Sequence, residues 1–354
     1  MTDTSELDML RDMAREWLAT EHPAALDHNI ARDGLRDRWR AMAELGWNGV
    51  LVPEAAGGSE LGLGAAAILL EEAGRQLLVS PLLASAILAP LALGNAYPEL
   101  LEGIGKGKTI IALAHDEGAH HSREISAQAI SGKDGWNLSG HKRFVTDGAN
   151  ADHFIVSAMV NGEVALFLVD ASTAEISARN TIDGRAMADV TFDNISLTGN
   201  ARLELDSRAI DRLLDIARLA LASEMLGAAR QAFEITNDYL KTREQFDRPI
   251  GSFQALQHRA AQMMVEIELT AASVSEGWRV AQTSGELAGP ASLAKHMAGE
   301  TLALVAREMI QMHGGIGMTD EHVSGRYLKW SEVSRKLYGD DAFLRGRWAD
   351  AEGF

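Results

Sequence analysis

The chain has 354 residues, 46% of them hydrophobic, a formal net charge of −17 and no cysteine. That is long enough for two or three structural units around a sizeable core, and too apolar for a disordered polymer. The acidic balance argues against a nucleic-acid binder, whose affinity rests on clustered Lys and Arg, and the missing cysteine excludes disulfides, thiolate catalysis and Cys-ligated zinc.

In chain order, residues 1–105 read as a helical domain. The start, MTDTSELDMLRDMAREWLATEH, is acidic and amphipathic. It lacks the basic and apolar regions of a signal peptide, so a cytoplasmic protein is expected. LDMLRDMAREWLA and LRDRWRAMAELGW repeat apolar residues at helical spacing. VPEAAGGSELGLG, Val52 to Gly64, reads as a connecting loop, because no strand precedes its glycines as a dinucleotide fingerprint requires. A third helix, AAAILLEEAGRQLL, follows. LLVSPLLASAILAPLALG, Leu77 to Gly94, approaches the length of a membrane span. Pro81 and Pro90 interrupt it, so buried bundle helices and no span are expected.

Residues 106–204 change period. TIIALAHD, EISAQAIS, WNLSGHKRFVT, HFIVSAMV, EVALFLVD and ADVTFDNISL are short β-type runs separated by Gly, Asn, Asp and Lys. No helix intervenes, which predicts a small antiparallel barrel or sandwich. From 205 to 354 long amphipathic runs return, predicting a C-terminal four-helix bundle. One ends near Thr242 and the next starts near Ser252, a candidate N-cap. A third opens with Pro290 and ends in a Gly pair, followed by shorter helices. The fold class expected is α+β multidomain, in the order helical, β, helical.

Two stretches could carry chemistry. In TREQFDRPIGSFQ, Pro249 and Gly251 make a corner from which Arg243 can project a guanidinium, the side chain best suited to a pyrophosphate. Arg at a helix C-terminus also complements the dipole and caps carbonyls. In QMHGGIGMT the paired glycines allow another molecule to approach closely and Gln311 offers an amide just upstream; an ordinary helix C-cap has the same look.

Together the two stretches resemble the acyl-CoA dehydrogenase family of flavoenzymes. REQFDRPIGSFQ is similar to that family's R-x-Q-F-x-x-P-I-x-x-F-Q signature and QMHGGIGM to its Q-x-x-G-G-x-G. LSGHKRFVTDGANADHFIVSA resembles the family's mid-domain strand pair, and ADVTFDNISL the strand that closes its β domain. The resemblance implies a dimer of dimers with FAD lying between subunits. Arg243, Gln245 and Phe246 match positions holding the ADP half of a neighbouring subunit's FAD. Gln311, Gly314 and Gly315 match the second contact to that half, and Phe144 and Thr146 match positions against the flavin ring. It also implies α,β-dehydrogenation of an acyl-CoA thioester, with a carboxylate taking the α-proton and electrons leaving through an electron-transfer flavoprotein.

The sequence departs from the family where the base is expected. The usual Tyr-Glu-Gly segment is matched by Tyr338-Gly339, and the alternative position on the preceding long helix is Ala217, followed by Arg218. Asp340 is the candidate base if the loop shifts by one residue; its plain role is to start the last helix. Glu321 is a poorer candidate. The flavin-covering loop is replaced by AHDEGAHHS, whose His115, Asp116, His120 and His121 are read as solvated loop residues, with no metal site expected. The first expectation is a complete dehydrogenase using Asp340. The alternative is a non-catalytic partner subunit of a heterotetramer, of the kind acting on steroid CoA thioesters, contributing part of an FAD site. A third reading is other flavin chemistry on the same fold, such as nitroalkane oxidation.

Overall fold

The computed structural model describes residues 4–24, 34–283 and 285–354. Residues 1–3 and 25–33, which belong to the first expected domain, and residue 284 lie outside the described residues.

The first part of the chain is helical: α1 (Thr4–Glu21), α2 (Leu35–Glu44), α3 (Leu63–Arg75), α4 (Ala89–Leu93) and α5 (Pro98–Gly105). Ala65, Ala66, Leu69, Leu70 and Ala73 form one buried stripe of α3, the spacing that puts residues three and four apart on one face. The apolar run from Leu77 does not make one long helix. Pro81 precedes a buried wide-turn π segment, Leu82–Leu88, which runs into α4 with Pro90 in its first turn. Among the described residues no helix is long and apolar enough to cross a membrane.

Residues 111–198 form a curled seven-stranded sheet, with β1 (Ile111–Ala114), β2 (Gln128–Ser131), β3 (Gly135–Thr146), β4 (His153–Val160), β5 (Glu163–Asp170), β6 (Glu175–Asn180) and β7 (Ala186–Thr198). The order is β1-β4-β2-β3-β7-β6, with β5 also on β4. Most pairs are antiparallel, as expected, but β4 runs parallel to β1 and to the first residue of β2. Side-chain alternation reports a face and not a neighbour's direction, so the pattern alone carries no sign of this. β1 is buried along its whole length, as parallel strands usually are.

The bundle is built on α6 (Ser207–Thr242), α7 (Gln254–Ala281) and α8 (Ala288–His313), with α9 (Ser324–Ser334) and α10 (Asp341–Glu352) packed on α8. Asp206 caps α6, its carboxylate accepting from the Ala209 N–H at 2.7 Å. Ser252 does not cap α7. Its hydroxyl donates to Pro249 O, and Phe253 takes the cap position without a side-chain bond.

The N-terminal helices lock onto the bundle where α3 crosses α6. A Cβ on Gly74 would lie 2.0 Å from Glu224 O, and one on Gly227 would lie 1.9 Å from Glu71 O. Each glycine thus admits the other helix's backbone, and no flexible side chain can yield there. Gly227→Ala is expected to destabilise the protein by about 1–3 kcal/mol despite alanine's better helix propensity. Urea unfolding of the variant against the parent measures it.

Candidate functional site

The two motifs singled out from the sequence meet at one end of the bundle. Tyr239, one turn before Arg243 on α6, stacks on His313, which ends α8, with ring centroids 4.3 Å apart. His322 packs tilted against His313, centroids 4.2 Å apart. After α6 the chain makes a tight hairpin, β8 (Glu244–Gln245) against β9 (Arg248–Pro249). Its two turn residues, Phe246 and Asp247, have φ of 55° and 62°, the left-handed pair that a two-residue hairpin turn requires and that glycine or asparagine usually fills. The strained turn holds the Phe246 ring out into solvent, 86% exposed. Gly251 closes the corner, because a Cβ there would lie 2.8 Å from Leu240 O.

Arg243, Gln245, Gln311, Gly314 and Gly315 are all exposed beside it. Gly314 has φ of 64°, which explains a glycine after α8. Gly315 has no such reason. Its φ is not in the left-handed region, and a Cβ there would meet nothing within 4 Å. A guanidinium, two carboxamides, an aromatic ring and an open glycine therefore sit on one exposed surface, tied to the chain by the Gln245 amide donating to Glu244 O at 2.8 Å and by edge-on packing of the Phe246 ring on Phe253. That donor set suits a diphosphate next to a planar base.

Phe144 and Thr146 lie elsewhere, where the end of β3 meets the bundle. By helical rise, Glu224 at that junction is roughly 28 Å along α6 from Arg243. The Phe144 backbone is left-handed, with φ of 52°. Its ring is faced by this chain's own guanidiniums, Arg143 at 5.2 Å and Arg179 at 5.5 Å. Both arginines pair with Asp189, which also accepts from the Phe144 N–H.

Behind Thr146 the space is small. One cavity of about 20 Å³ is lined by Thr146, Asp147, Arg185, Leu221, Glu224 and Tyr338 among others. A second, of about 10 Å³, reaches Asp116, Phe144 and Tyr338. A three-ring flavin needs a pocket on the order of a few hundred Å³. Arg185 occupies the junction. It donates to Asp183, to Glu224 at 3.1 Å and to Ser334 Oγ at 3.0 Å, and its guanidinium lies 3.7 Å from the centre of the Trp330 ring. The exposed end of α6 thus fits the nucleotide half of an FAD; the enclosed space behind Thr146 does not fit its ring, and a wider hollow of about 350 Å³ beyond His115 is lined by His121, Leu214, Arg218 and Phe343.

The AHDEGAHHS loop is tied down rather than solvated. Lys142, fully buried on β3, donates to His115 O, Ser157 Oγ and Glu117. Burial pushes Glu117 upward, but the bonds from Lys142, Ser126 and Ala127 more than offset this and hold it down at about 2. His115, Asp116 and His121 bring their ligand-capable atoms within 4.8 Å of one another, so three of the four loop residues converge. Arg218 Nη2, which can only donate, lies 2.9 Å from His121 Nε2. The proton of neutral His121 therefore sits on Nδ1 and is donated to Asp116 at 2.6 Å. The arrangement is a hydrogen-bond relay from Arg218 through His121 to Asp116, and a cation at His121 Nδ1 would have to break it. His120 stays exposed and faces Asp340 at 3.4 Å.

Asp340 is the N-cap of α10, its carboxylate accepting from the Phe343 N–H at 3.1 Å. That bond, above the opposing effect of partial burial, holds its pKa below the usual carboxylate range, the wrong direction for a base that must take a carbon-bound proton. Ala217 is buried in the core, and Glu321 is exposed in the turn before α9. Gly339 carries a carbonyl where the family carries its Glu, and that carbonyl accepts from buried Lys295 at 2.6 Å. Burial pulls Lys295 down to about 7.

Sequence reasoning missed Arg185, Asp147, Glu224 and Lys142. Only Lys142 had a visible signal, the Lys of the quoted Gly-His-Lys strand.

Comparison with known proteins agrees with this architecture. Residues 4–101, 111–196 and 207–352 match the acyl-CoA dehydrogenase N-terminal, middle and C-terminal domains respectively. Acyl-CoA dehydrogenase IpdE2 of Mycobacterium tuberculosis is 30% identical over 345 residues, covering 95% of this chain and 94% of that protein. The structure of a Tcur3481–Tcur3483 steroid acyl-CoA dehydrogenase variant is 34% identical with a TM-score of 0.88, covering 99% and 98%. The ChsE4–ChsE5 complex from Mycobacterium tuberculosis is 25% identical with a TM-score of 0.90, covering 99% and 98%. The chain belongs to the acyl-CoA dehydrogenase family, whose members are FAD-dependent oxidoreductases.

Asp340→Ala is expected to lose about 1 kcal/mol of stability through the lost cap, whereas Asp340→Asn, an equally good cap, keeps it. Thermal melts of the two variants separate the capping role from any other.

Proposed function

We propose that this chain is the base-lacking subunit of a two-chain acyl-CoA dehydrogenase. It assembles as a heterotetramer with a related chain that supplies the catalytic carboxylate and houses the flavin ring. Arg243, Gln245, Phe246, Gln311, Gly314 and Gly315 hold the ADP half of the partner's FAD. The reaction is α,β-dehydrogenation of an acyl-CoA thioester, a steroid side-chain thioester being the class suggested by the steroid dehydrogenase above. FAD supplies the hydride acceptor, and electrons leave through an electron-transfer flavoprotein.

The observation that carries this reading is the contrast between the two ends of α6. One end displays its donors to solvent; the other closes around Arg185 and leaves about 20 Å³. A complete enzyme using Asp340 is the second reading. It is weakened by the capping bond, which lowers the pKa of that carboxylate and makes it a poorer base.

The chain purified alone, incubated with excess FAD and then desalted, is expected to be colourless. Co-expressed with a family member carrying the usual Tyr-Glu-Gly glutamate, it is expected to give a yellow heterotetramer that an acyl-CoA bleaches anaerobically, with one FAD per pair of chains by absorbance and native mass. Arg243→Ala within that complex weakens FAD binding by about tenfold or more. A yellow homotetramer of this chain alone that turns over an acyl-CoA overturns the proposal, and loss of that turnover in Asp340→Asn would restore Asp340 as the base.

A further inference from the structure

We propose that Asp147 is a buried carboxylic acid that keeps its proton at neutral pH, and that this proton latches the β domain to the bundle. Asp147 follows the last residue of β3 in a left-handed conformation, φ 63°, and is 2% exposed. Its Oδ2 finds no hydrogen-bond partner among the described residues. It lines the small junction cavity with apolar Leu78, Val79, Leu83 and Leu221, and with Arg185, Glu224 and Tyr338.

The charge balance there leaves no place for another anion. Arg185 and Asp183 come from the segment before β7, and Glu224 from α6. The guanidinium is already shared between Asp183 and Glu224. An ionised Asp147 would be a third carboxylate facing that one cation. The cavity has room for about one water, far short of a hydration shell. Tyr338, from the turn after α9, is pushed well above its ordinary range by burial and stays neutral. Burial pushes Asp147 up to about 8, with Arg185 opposing and Glu224 adding to the shift; burial also raises Glu224.

The sign follows from proton counting. The folded state holds a proton on Asp147 that the unfolded chain releases in the ordinary carboxylate range. The resulting stability is complete below that range, is lost progressively as pH rises, and is gone above about 8. Loss of the proton puts net negative charge into a dry junction between two domains, which admits water and loosens it.

The test compares the isolated chain with Asp147→Asn, which keeps the size and hydrogen-bonding capacity of a neutral acid but cannot ionise. Stability is measured by urea unfolding between about pH 5 and pH 9. The ratio of folding constants, variant over parent, is expected to grow by up to about tenfold per pH unit and to level off above pH 8. Parallel profiles for the two proteins overturn the proposal. Infrared difference spectroscopy of the parent and of Glu224→Gln decides the matter if the Asp147 variant does not fold. A carbonyl stretch of a protonated carboxylic acid, present at pH 7, lost by pH 9 and retained in Glu224→Gln, is the expected result. Absence of that band at pH 7 overturns the proposal.

Discussion

A desolvated guanidinium governs the centre of this molecule. Arg185 is buried, and a buried cation survives only if it is paired and hydrogen-bonded. Asp183, Glu224 and Ser334 meet that demand, and Trp330 covers its face. These partners come from the turn between β6 and β7, from α6 and from α9, so satisfying one side chain draws the β domain against the bundle. The same convergence fills the space a planar cofactor would need. Closure and domain docking are therefore one event with one cause.

Helix α6 turns that local closure into a division of labour. It is a rigid element of 36 residues, held against α3 by the Gly74–Gly227 crossing. One stretch of it presents Glu224 to the closed junction, and its C-terminus delivers Arg243 to the exposed surface. A rigid rod keeps the two places apart, so the exposed donors cannot serve a ring held in this chain's own junction unless the nucleotide spans that distance. A nucleotide belonging to a second chain meets no such demand.

The order of units and the long helices were legible because apolar periodicity over many residues is a strong signal: α6 ends at Thr242, where the pattern stops. The corner motif was legible as a display of donors, but its hairpin was not, since Phe246 and Asp247 are not residues that announce a left-handed turn. Arg185 and Glu224 are 39 positions apart, and nothing in either local sequence predicts their meeting. Likewise the loop histidines looked solvated because the groups that bury them, Lys142 and Arg218, lie on a strand and a helix far along the chain. Local pattern identifies elements; charge pairing across elements is a property of the packed state alone.

Glu224 is a carboxylate placed to replace the missing base by position, since it lies two helical turns beyond Ala217 on the same face of α6 and lines the junction. Its environment argues against that role. A base must offer a free lone pair to an incoming carbon-bound proton, and accepting that proton must leave a tolerable site behind. Here Oε2 of Glu224 is paired with the Arg185 guanidinium at 3.1 Å. Protonation would strip a buried guanidinium of a counter-charge, and breaking such a pair costs about 3–5 kcal/mol. Freeing Glu224 would require Arg185 to leave the junction, which would also undo the docking of the two domains. A carboxylate that the fold cannot spare is not available for chemistry, which favours the proposed reading in which a partner chain supplies the base.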